Sequence, residues 1–351
     1  MNKSKQNIRD FNRDDLFGYF ELLGEKKFRV DQVWKWLWVK GIDSFDDMQN
    51  IPKSLIERLK DEFLIDKVRQ IFQVSGKDKT TKFLFEAVDN SRFEGVLIPS
   101  KERVTACIST QMGCPLNCSF CATAKLGFSR NLTSGEIFDQ VFLLNKSSIE
   151  IFNKNLSNIV IMGMGEPLLN YDNTMKTIDI LCSEVGMGMS PQRITLSTAG
   201  IAPKIKKLAD DNVKFNLSIS LHSADNTKRS EIMPVNRKYD LGELREAIGY
   251  FYSKTRTRIT YEYLMLNGVN DSIDDAKLLT EFTKVSPCKI NIIEYNANDH
   301  DKYMSTDQNK LQDFVKFLES KNLVVTLRRS KGQDISAACG QLANKHNNFI
   351  I

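Results

Sequence analysis

Apolar side chains recur at helical spacing between residues 13 and 64. Glycines at 24 and 41 suit helix ends, and Pro52 suits a helix start. The pattern predicts a small helical bundle, which we interpret as an N-terminal helical accessory domain over residues 1–66. The apolar positions that carry the periodicity are Leu16, Tyr19, Phe20, Leu23, Val33, Leu37, Ile56, Leu59 and Phe63.

From residue 67 the pattern changes to short runs rich in β-branched and aromatic residues. The runs VRQIFQV, TKFLFEAV and RFEGVLIP are separated by the turn-forming stretches GKD and VDNS. They predict an antiparallel meander, a short β extension over residues 67–103 that leads into the main domain.

Beyond residue 104, strand-like and helix-like patterns alternate along the chain. Such alternation is typical of βα units on a parallel sheet with right-handed crossovers. About six units are too few for a closed eightfold barrel, so we predict an α/β fold, a partial (βα)6 barrel within residues 104–351. The predicted strands are 104–110, 157–164, 193–198, 214–220, 258–266 and 289–295, with a last one at 323–329; the predicted helices are 134–146, 171–185, 201–210, 241–252, 274–284 and 308–320.

Four motifs with chemical character stand at or just after the ends of predicted strands. They are a cysteine-rich stretch after the first strand, GMGEP after the second, LSTAG at the third and SLHS at the fourth. Active sites of such folds collect at the carboxyl ends of the strands. We therefore expect these motifs to face one cavity.

The composition is that of a globular protein, with 41% hydrophobic and 26% charged residues. No apolar run is long enough to cross a bilayer, and the N-terminal stretch lacks the apolar core of a secretory signal. We expect a cytoplasmic protein with no membrane partner.

The chain has seven cysteines. An odd number of cysteines in a reducing compartment argues against a disulfide framework.

The net charge of +5 is concentrated in one region. Residues 201–260 hold twelve Lys and Arg against seven Asp and Glu, and the remainder of the chain balances. On charge alone, ordinary solvated helix faces explain this surplus better than a phosphate-binding patch, and both interpretations stay open.

The strongest chemical signal is the stretch CPLNCSFC, in which Cys114, Cys118 and Cys121 have the spacing Cys-x3-Cys-x2-Cys. Three thiolates in one loop can ligate three irons of a [4Fe–4S] cube and leave the fourth iron open. An open iron can chelate S-adenosylmethionine (SAM) through its amino and carboxylate groups, as reductive cleavage to a radical requires. A structural zinc site is disfavoured because no fourth Cys or His follows nearby, and buried inert cysteines because the loop is polar.

Polar groups at the next strand ends could hold the methionine and ribose parts of SAM. Gly165 allows close approach of a ligand to the backbone, and Glu166 can accept a hydrogen bond from an ammonium group. Ser197, Ser220 and His222 offer hydroxyls and an imidazole, although helix N-capping by Ser197 or Ser223 is an equal alternative.

Cys339 lies in the short, glycine-flanked stretch DISAACGQL far along the chain. A nucleophilic and a structural role are equally supported by the residues alone. Cys107 lies on the first predicted strand of the main domain, and we interpret Cys182 and Cys288 as packing residues.

Taken together, these motifs resemble the radical SAM RNA (adenine-C2) methyltransferases, the RlmN family, almost from end to end. The resemblance implies methylation of adenine C2 in 23S rRNA at the peptidyl-transferase centre and of the adenosine 3′ of the anticodon in tRNAs. It also implies a radical SAM barrel, RNA contacts by the N-terminal helices and a [4Fe–4S] cluster with SAM. The matching stretches are CPLNCSFCATAKLGFSRNLT, MGMGEPL, ITLSTAG, SLHS, IMPVNRKY, LNGVND and AACGQL.

The family resemblance assigns a role to each matching residue. Cys339 would carry the methyl group, Cys107 would resolve the covalent adduct through a transient disulfide with Cys339, and Glu94 in FEGVLIP would be a proton acceptor. Chemistry alone does not single out Glu94. The implied cluster ligands are Cys114, Cys118 and Cys121, and the implied SAM-binding residues are Gly165, Glu166, Ser197, Ser220, Leu221, His222 and Asn296.

The implied mechanism uses two SAM molecules. One methylates Cys339 by displacement; the other is cleaved at the cluster, and the resulting 5′-deoxyadenosyl radical takes a hydrogen atom from the S-methyl group. The methylene radical adds to C2, C2 loses its proton, and the disulfide with Cys107 releases the product.

An RNA substrate must present the base outside its stack, so basic groups beside the cavity are expected. The excess of positive charge around Lys228, Arg229, Arg237 and Lys238 is therefore now predicted to contact phosphate.

The expected partners are 23S rRNA, tRNA and an electron donor such as flavodoxin or ferredoxin, and the expected state is a monomer. Three alternatives remain: methylation of C8 of the same rRNA adenine by a sister group, a radical SAM enzyme on a non-RNA substrate, and a zinc-bearing RNA-binding protein without enzymatic activity.

Overall fold

The computed structural model describes residues 5–296 and 302–343. Helices begin the chain, as the apolar periodicity predicts, and a short parallel strand pair joins the two ends of this part. A capping box between Asn12 and Asp15 fixes the start of the first helix. The elements are β1 (Gln6–Asn7), α1 (Arg13–Leu22), α2 (Phe28–Lys35), a π-helical turn (Trp36–Lys40), α3 (Lys53–Glu62) and β2 (Phe63–Leu64).

The predicted meander is present and joins the main sheet. Its strands pair antiparallel with one another, and the last also pairs antiparallel with the first strand of the barrel. The extension therefore continues the sheet beyond the parallel strands. Its strands are β3 (Arg69–Ser75), β4 (Thr81–Glu86) and β5 (Arg92–Pro99).

The remaining seven strands of the main sheet all run parallel and neighbour one another in chain order, from the strand beside the extension to the last strand at the far edge. Six βα units and a last strand make an open, partial barrel, so the predicted α/β fold with a partial (βα)6 barrel is confirmed. The strands are β6 (Val104–Cys107), β9 (Asn158–Ile161), β10 (Ile194–Thr198), β11 (Asn216–Ser220), β12 (Ile259–Met265), β13 (Cys288–Glu294) and β14 (Val325–Arg328); the helices are α5 (Ser134–Phe152), α6 (Tyr171–Cys182), α7 (Ala202–Asp210), α8 (Asn226–Ile232), α9 (Leu241–Thr255), α10 (Ile273–Thr283) and α11 (Gln308–Ser320).

A small hairpin around the cysteine loop was not predicted. Strands β7 (Gln111–Gly113) and β8 (Phe128–Asn131) pair antiparallel across the loop and the short helix α4 (Ala122–Lys125). Strand β7 is too short to show a period of two, so the sequence carries no strand signal there. The hairpin brings both ends of the cysteine loop together.

Helix α5 runs six residues past its predicted end at 146 and stops where Asn153 takes a left-handed conformation, φ 52°. Its last six residues, SSIEIF, bury two serines and expose Ile149 and Ile151, so the apolar positions there do not continue the helical period. Within residues 5–296 and 302–343, no helix combines the length and apolarity that crossing a bilayer needs.

Candidate active site

A cavity of about 240 Å³ lies at the carboxyl ends of the parallel strands. Of the thirteen residues to which the family resemblance gives a role, the structure brings ten to its wall. These ten are Cys107, Cys114, Cys118, Cys121, Gly165, Glu166, Ser197, Ser220, His222 and Cys339.

The hairpin fixes the cysteine loop. Gly113 has a left-handed φ of 78°, and an added Cβ there would stand 1.8 Å from the Gly127 carbonyl oxygen. The Cys114 N–H donates to that same oxygen at 2.9 Å. The loop therefore enters and leaves the cavity at a tightly closed neck.

The three loop thiols lie close enough to influence one another's charge. Burial raises the pKa of Cys118 well above its usual range, and the neighbouring Cys121 and Cys114 raise it further. Such a group is stable as three thiolates only beside cationic charge, which cluster irons provide. The donor set therefore fits a [4Fe–4S] cluster. Among the described residues, no three His, Cys, Asp or Glu side chains are grouped so that they could hold a single metal ion.

Glu166 connects the ends of neighbouring strands. Its carboxylate accepts the Leu168 N–H at 3.1 Å and the Ala199 N–H at 2.7 Å, and its own N–H donates to Gln111. Burial raises the pKa of Glu166 to about 7, against the lowering effect of these backbone donors. The carboxylate is held rigidly at the cavity wall.

Ser197, Ser220 and His222 form the next part of the wall. The two serine hydroxyl oxygens are 3.3 Å apart, and the His222 ring packs edge-on against Phe120 with centroids 4.9 Å apart. His222 Nδ1 accepts the Leu264 N–H at 3.1 Å, which leaves Nε2 as the protonated nitrogen of the neutral ring. Burial, with a smaller contribution from Arg229, lowers the His222 pKa to about 3, so the ring is neutral.

Cys107 and Cys339 line the cavity together with Arg328. Burial, with a smaller contribution from the charge of a nearby Cys339 thiolate, raises the pKa of Cys107 to about 12. Cys339 has solvent access through the open cavity although protein surrounds it; burial raises its pKa, and Arg328 opposes that rise. All seven cysteines are free thiols.

The other three residues lie outside the cavity wall. Leu221 is fully buried, and its carbonyl accepts the Arg229 Nε–H at 3.0 Å. Asn296 accepts a hydrogen bond from Gln333 at 2.6 Å, and its Nδ2 has no partner among the described residues. Glu94 is fully buried in an ion pair with Lys82 at 3.2 Å.

The structure adds residues that the sequence analysis missed. Glu262 lies at the cavity wall on β12, buried, with Oε1 bonded to Ser218 and Asn291. Its Oε2 has no hydrogen-bond partner among the described residues. The sequence feature that could have identified Glu262 is a glutamate inside the otherwise apolar strand run ITYEYLM. No comparable feature marks Arg328 in LVVTLRR.

The predicted phosphate contact is wrong for Arg229. Its side chain is fully buried and donates to the carbonyls of Leu221 and Ala199, where it organises two strand ends. Lys228 pairs with both carboxylate oxygens of Asp275, at 2.8 and 2.9 Å. Arg237 and Lys238 remain exposed.

A partial βα barrel with three cysteines in one loop at its carboxyl edge defines a radical SAM enzyme. Residues 108–279 match the radical SAM superfamily model, and residues 6–65 match the ribosomal RNA large subunit methyltransferase N-terminal domain. The chain belongs to the RlmN family of RNA methyltransferases. The superfamily's cofactors are a [4Fe–4S] cluster and SAM.

Similar proteins support this family assignment over nearly the whole chain. The chain is 46% identical to the "probable dual-specificity RNA methyltransferase RlmN" of Flavobacterium psychrophilum, covering 98% of this chain and 99% of that protein. It is 43% identical to the "dual-specificity RNA methyltransferase RlmN" of Nautilia profundicola, covering 92% and 94%. The crystal structure of a radical SAM methyltransferase from Sphaerobacter thermophilus superposes with a TM-score of 0.89 at 36% identity, covering 96% and 99%.

Proposed function

We propose that this protein methylates C2 of an adenosine in the peptidyl-transferase centre of 23S rRNA and of the adenosine 3′ of the anticodon in tRNAs. The observation that carries the proposal is the shared cavity. Three cysteines suited to a cluster and two further thiols, Cys107 and Cys339, line the same wall. The names of the relatives, dual-specificity RNA methyltransferases, support both RNA substrates.

Cys114, Cys118 and Cys121 would hold the cluster, which when bound supplies the electron for reductive cleavage of SAM. Glu166 would orient the SAM ammonium group, and the backbone at Gly165, with φ 101°, allows a ligand to approach closely. The remaining residues proposed to bind SAM are Ser197, Ser220, Leu221, His222 and Asn296.

Cys339 would act as the methyl carrier. Its thiolate attacks the SAM methyl carbon, an S–C bond forms, the sulfonium C–S bond breaks, and S-adenosylhomocysteine leaves. After the S-methylene radical has added to adenine C2, the adduct would give its C2 proton to a base and one electron to the oxidised electron carrier. The Cys107 thiolate then attacks the Cys339 sulfur. The disulfide forms, the S–C bond breaks, and its electron pair takes up a proton to complete the new methyl group.

We propose Glu94 as the proton acceptor for C2, on the family resemblance. Its carboxylate lies behind the wall and accepts the Ala343 N–H at 2.9 Å, so it touches the segment that carries Cys339.

We also propose that residues 1–66 contact RNA as an accessory domain, that 67–103 form a β extension, and that 104–351 form the catalytic core. A flavodoxin or ferredoxin as electron donor and a cytoplasmic monomer complete the proposal.

The test is an anaerobic assay of the cluster-loaded protein on rRNA and tRNA fragments, followed by nucleoside analysis. We expect 2-methyladenosine from both RNAs. Cys339→Ala should abolish it, Cys107→Ala should trap a covalent protein–RNA adduct, and the control Cys182→Ala should retain activity because Cys182 does not line the cavity.

Other outcomes would overturn the proposal. Formation of 8-methyladenosine would assign the chain to C8 chemistry. Intact RNA methylation by Cys339→Ala would exclude the methyl-carrier role, and SAM cleavage without any RNA product would favour a non-RNA substrate. A colourless protein with zinc and no iron after anaerobic purification would indicate a zinc protein.

A further inference from the structure

The stretch from Lys331 to Ala343, here called the Cys339 segment, leaves edge strand β14 and reaches the antiparallel extension on the opposite side of the sheet. Strand order places β14 and β3 at the two ends of the main sheet. The segment therefore spans the opening of the partial barrel and places Cys339 at the cavity.

The first part of the segment is held by the turn between β3 and β4. The Gly332 N–H donates to the Asp78 carboxylate at 3.1 Å, and the Lys77 N–H donates to the Asp334 carboxylate at 2.9 Å. The Gly332 bond is partly buried and the Lys77 bond is exposed, and both secure only the start of the segment.

A buried ion pair holds both sides of Cys339. The Lys82 ammonium lies 3.2 Å from Glu94 Oε1 and donates to the Ser336 carbonyl at 3.3 Å. Glu94 Oε2 accepts the Ala343 N–H at 2.9 Å. One pair of charges thus binds the backbone before and after the thiol.

The opposite face of the segment lies against the cysteine loop. The Ala122 N–H donates to the Gly340 carbonyl at 2.7 Å, and the Thr123 hydroxyl donates to the Leu342 carbonyl at 2.7 Å. Ala122 directly follows Cys121 in the chain. The position of Cys339 relative to the loop is therefore set by contacts on both faces.

We propose that Lys82 is a positioning residue which, paired with Glu94, clasps the Cys339 segment over the cavity and so places the methyl-carrying thiol. The Lys82 side chain is 3% exposed and that of Glu94 is fully buried, an arrangement that carries a large desolvation cost. Apolar residues of similar size would stabilise the fold equally well. They could not, however, form the hydrogen bonds to the backbone at Ser336 and Ala343. The proposal rests on Cys339 being the methyl carrier.

The test measures amide hydrogen exchange of the Cys339 segment by mass spectrometry in the full-length, cluster-loaded protein. In Lys82→Met we expect exchange at 332–343 to accelerate on the order of tenfold. Methyl loading of Cys339 by SAM, read from peptide mass, should fall, while iron per chain stays unchanged. Lys82→Arg should restore part of the protection.

A matched control and a second variant keep the test decisive. Lys67 is also a mostly buried lysine with a buried partner, Asp139, but lies away from the segment. Lys67→Met should leave exchange at 332–343 unchanged. If the unpaired Glu94 prevents folding of Lys82→Met, the double variant Lys82→Met/Glu94→Leu removes both charges and should still exchange rapidly.

Unchanged exchange at 332–343 in a folded Lys82 variant would overturn the clasp. That outcome is distinct from failure of the proposed function, in which Cys339 of the unmodified protein would take no methyl group while its segment stayed protected.

Discussion

The guanidinium of Arg328 lies 3.9 Å from the carboxylate of Glu262, at the part of the cavity wall that also carries Cys107 and Cys339. The Cys339 thiolate is the largest influence that raises the pKa of Arg328. Reciprocally, the cation opposes the effect of burial on the Cys339 thiol. Arg328 is thus a cation beside the thiol that we propose as the nucleophile.

Replacing Arg328 by Met should make Cys339 harder to ionise. Loss of one nearby positive charge raises a thiol pKa by about one unit, so methyl loading of Cys339 near neutral pH should fall about tenfold. The measurement is the initial rate of Cys339 methylation against pH, followed by peptide mass. The rate profile should move to higher pH.

Arg328→Lys is the control for this prediction because it keeps the charge. Its pH profile should stay near that of the unmodified protein, although bonds formed by the planar guanidinium are lost. An Arg328→Met profile that coincides with the unmodified one would show that Arg328 does not activate the thiol.

Much of the site could be predicted because its residues follow strand ends. The carboxyl ends of parallel strands meet at one edge, so Glu166, Ser197 and Ser220 converge once the alternation of strands and helices is recognised. The Cys-x3-Cys-x2-Cys spacing similarly places its thiols in one loop, whatever the rest of the chain does.

Other features depend on which way a side chain points, which periodicity does not reveal. Lys82 is a lysine in the strand run TKFLF, and lysine side chains usually lie at the surface. Here the side chain is buried against Glu94. Arg229 stands in a basic stretch but turns inward to backbone carbonyls. Arg229 also bonds a carbonyl 30 residues away, that of Ala199, and Lys82 bonds the Ser336 carbonyl 254 residues away, contacts that short-range patterns do not predict.

The buried neutral imidazole of His222 should make stability depend on pH. Its pKa is about 3 in the folded protein against 6.5 for an ordinary histidine, so below pH 6.5 the unfolded chain binds a proton that the folded protein does not. The contribution of His222 to stability is therefore lost as pH falls from about 6.5 towards 3, by about 2 kcal/mol between pH 7.5 and 5. The raised pKa of Glu166 acts in the opposite direction over this range, so the measurement is the difference in urea unfolding free energy between the unmodified protein and His222→Gln at the two pH values. A difference that does not change with pH would contradict the assignment.

The neck of the cysteine loop should tolerate no side chain at Gly113. In Gly113→Ala the new Cβ would meet the Gly127 carbonyl oxygen at 1.8 Å, so the hairpin must open and displace Cys114. We expect a marked loss of iron per chain after anaerobic reconstitution. Gly127→Ala is the matched control: its φ of 74° is similar, but an added Cβ has nothing within 4 Å. Equal iron loading of the two variants would show that the neck does not control cluster assembly.

The contact between the N-terminal helices and the barrel depends on a buried carboxylate. Asp139 on α5 accepts from Arg9 at 2.8 Å, Lys67 at 3.0 Å and the Val68 N–H at 3.0 Å, and the Arg9 side chain is fully buried. Asp139→Asn leaves that guanidinium without a buried counter-charge, which typically costs about 3–5 kcal/mol. Urea unfolding should show the loss. The same change at Asp274, whose pair with Lys277 is largely exposed, should leave the unfolding midpoint unchanged. If Asp139→Asn matched Asp274→Asn, the buried pair would contribute nothing to holding the N-terminal helices on the barrel.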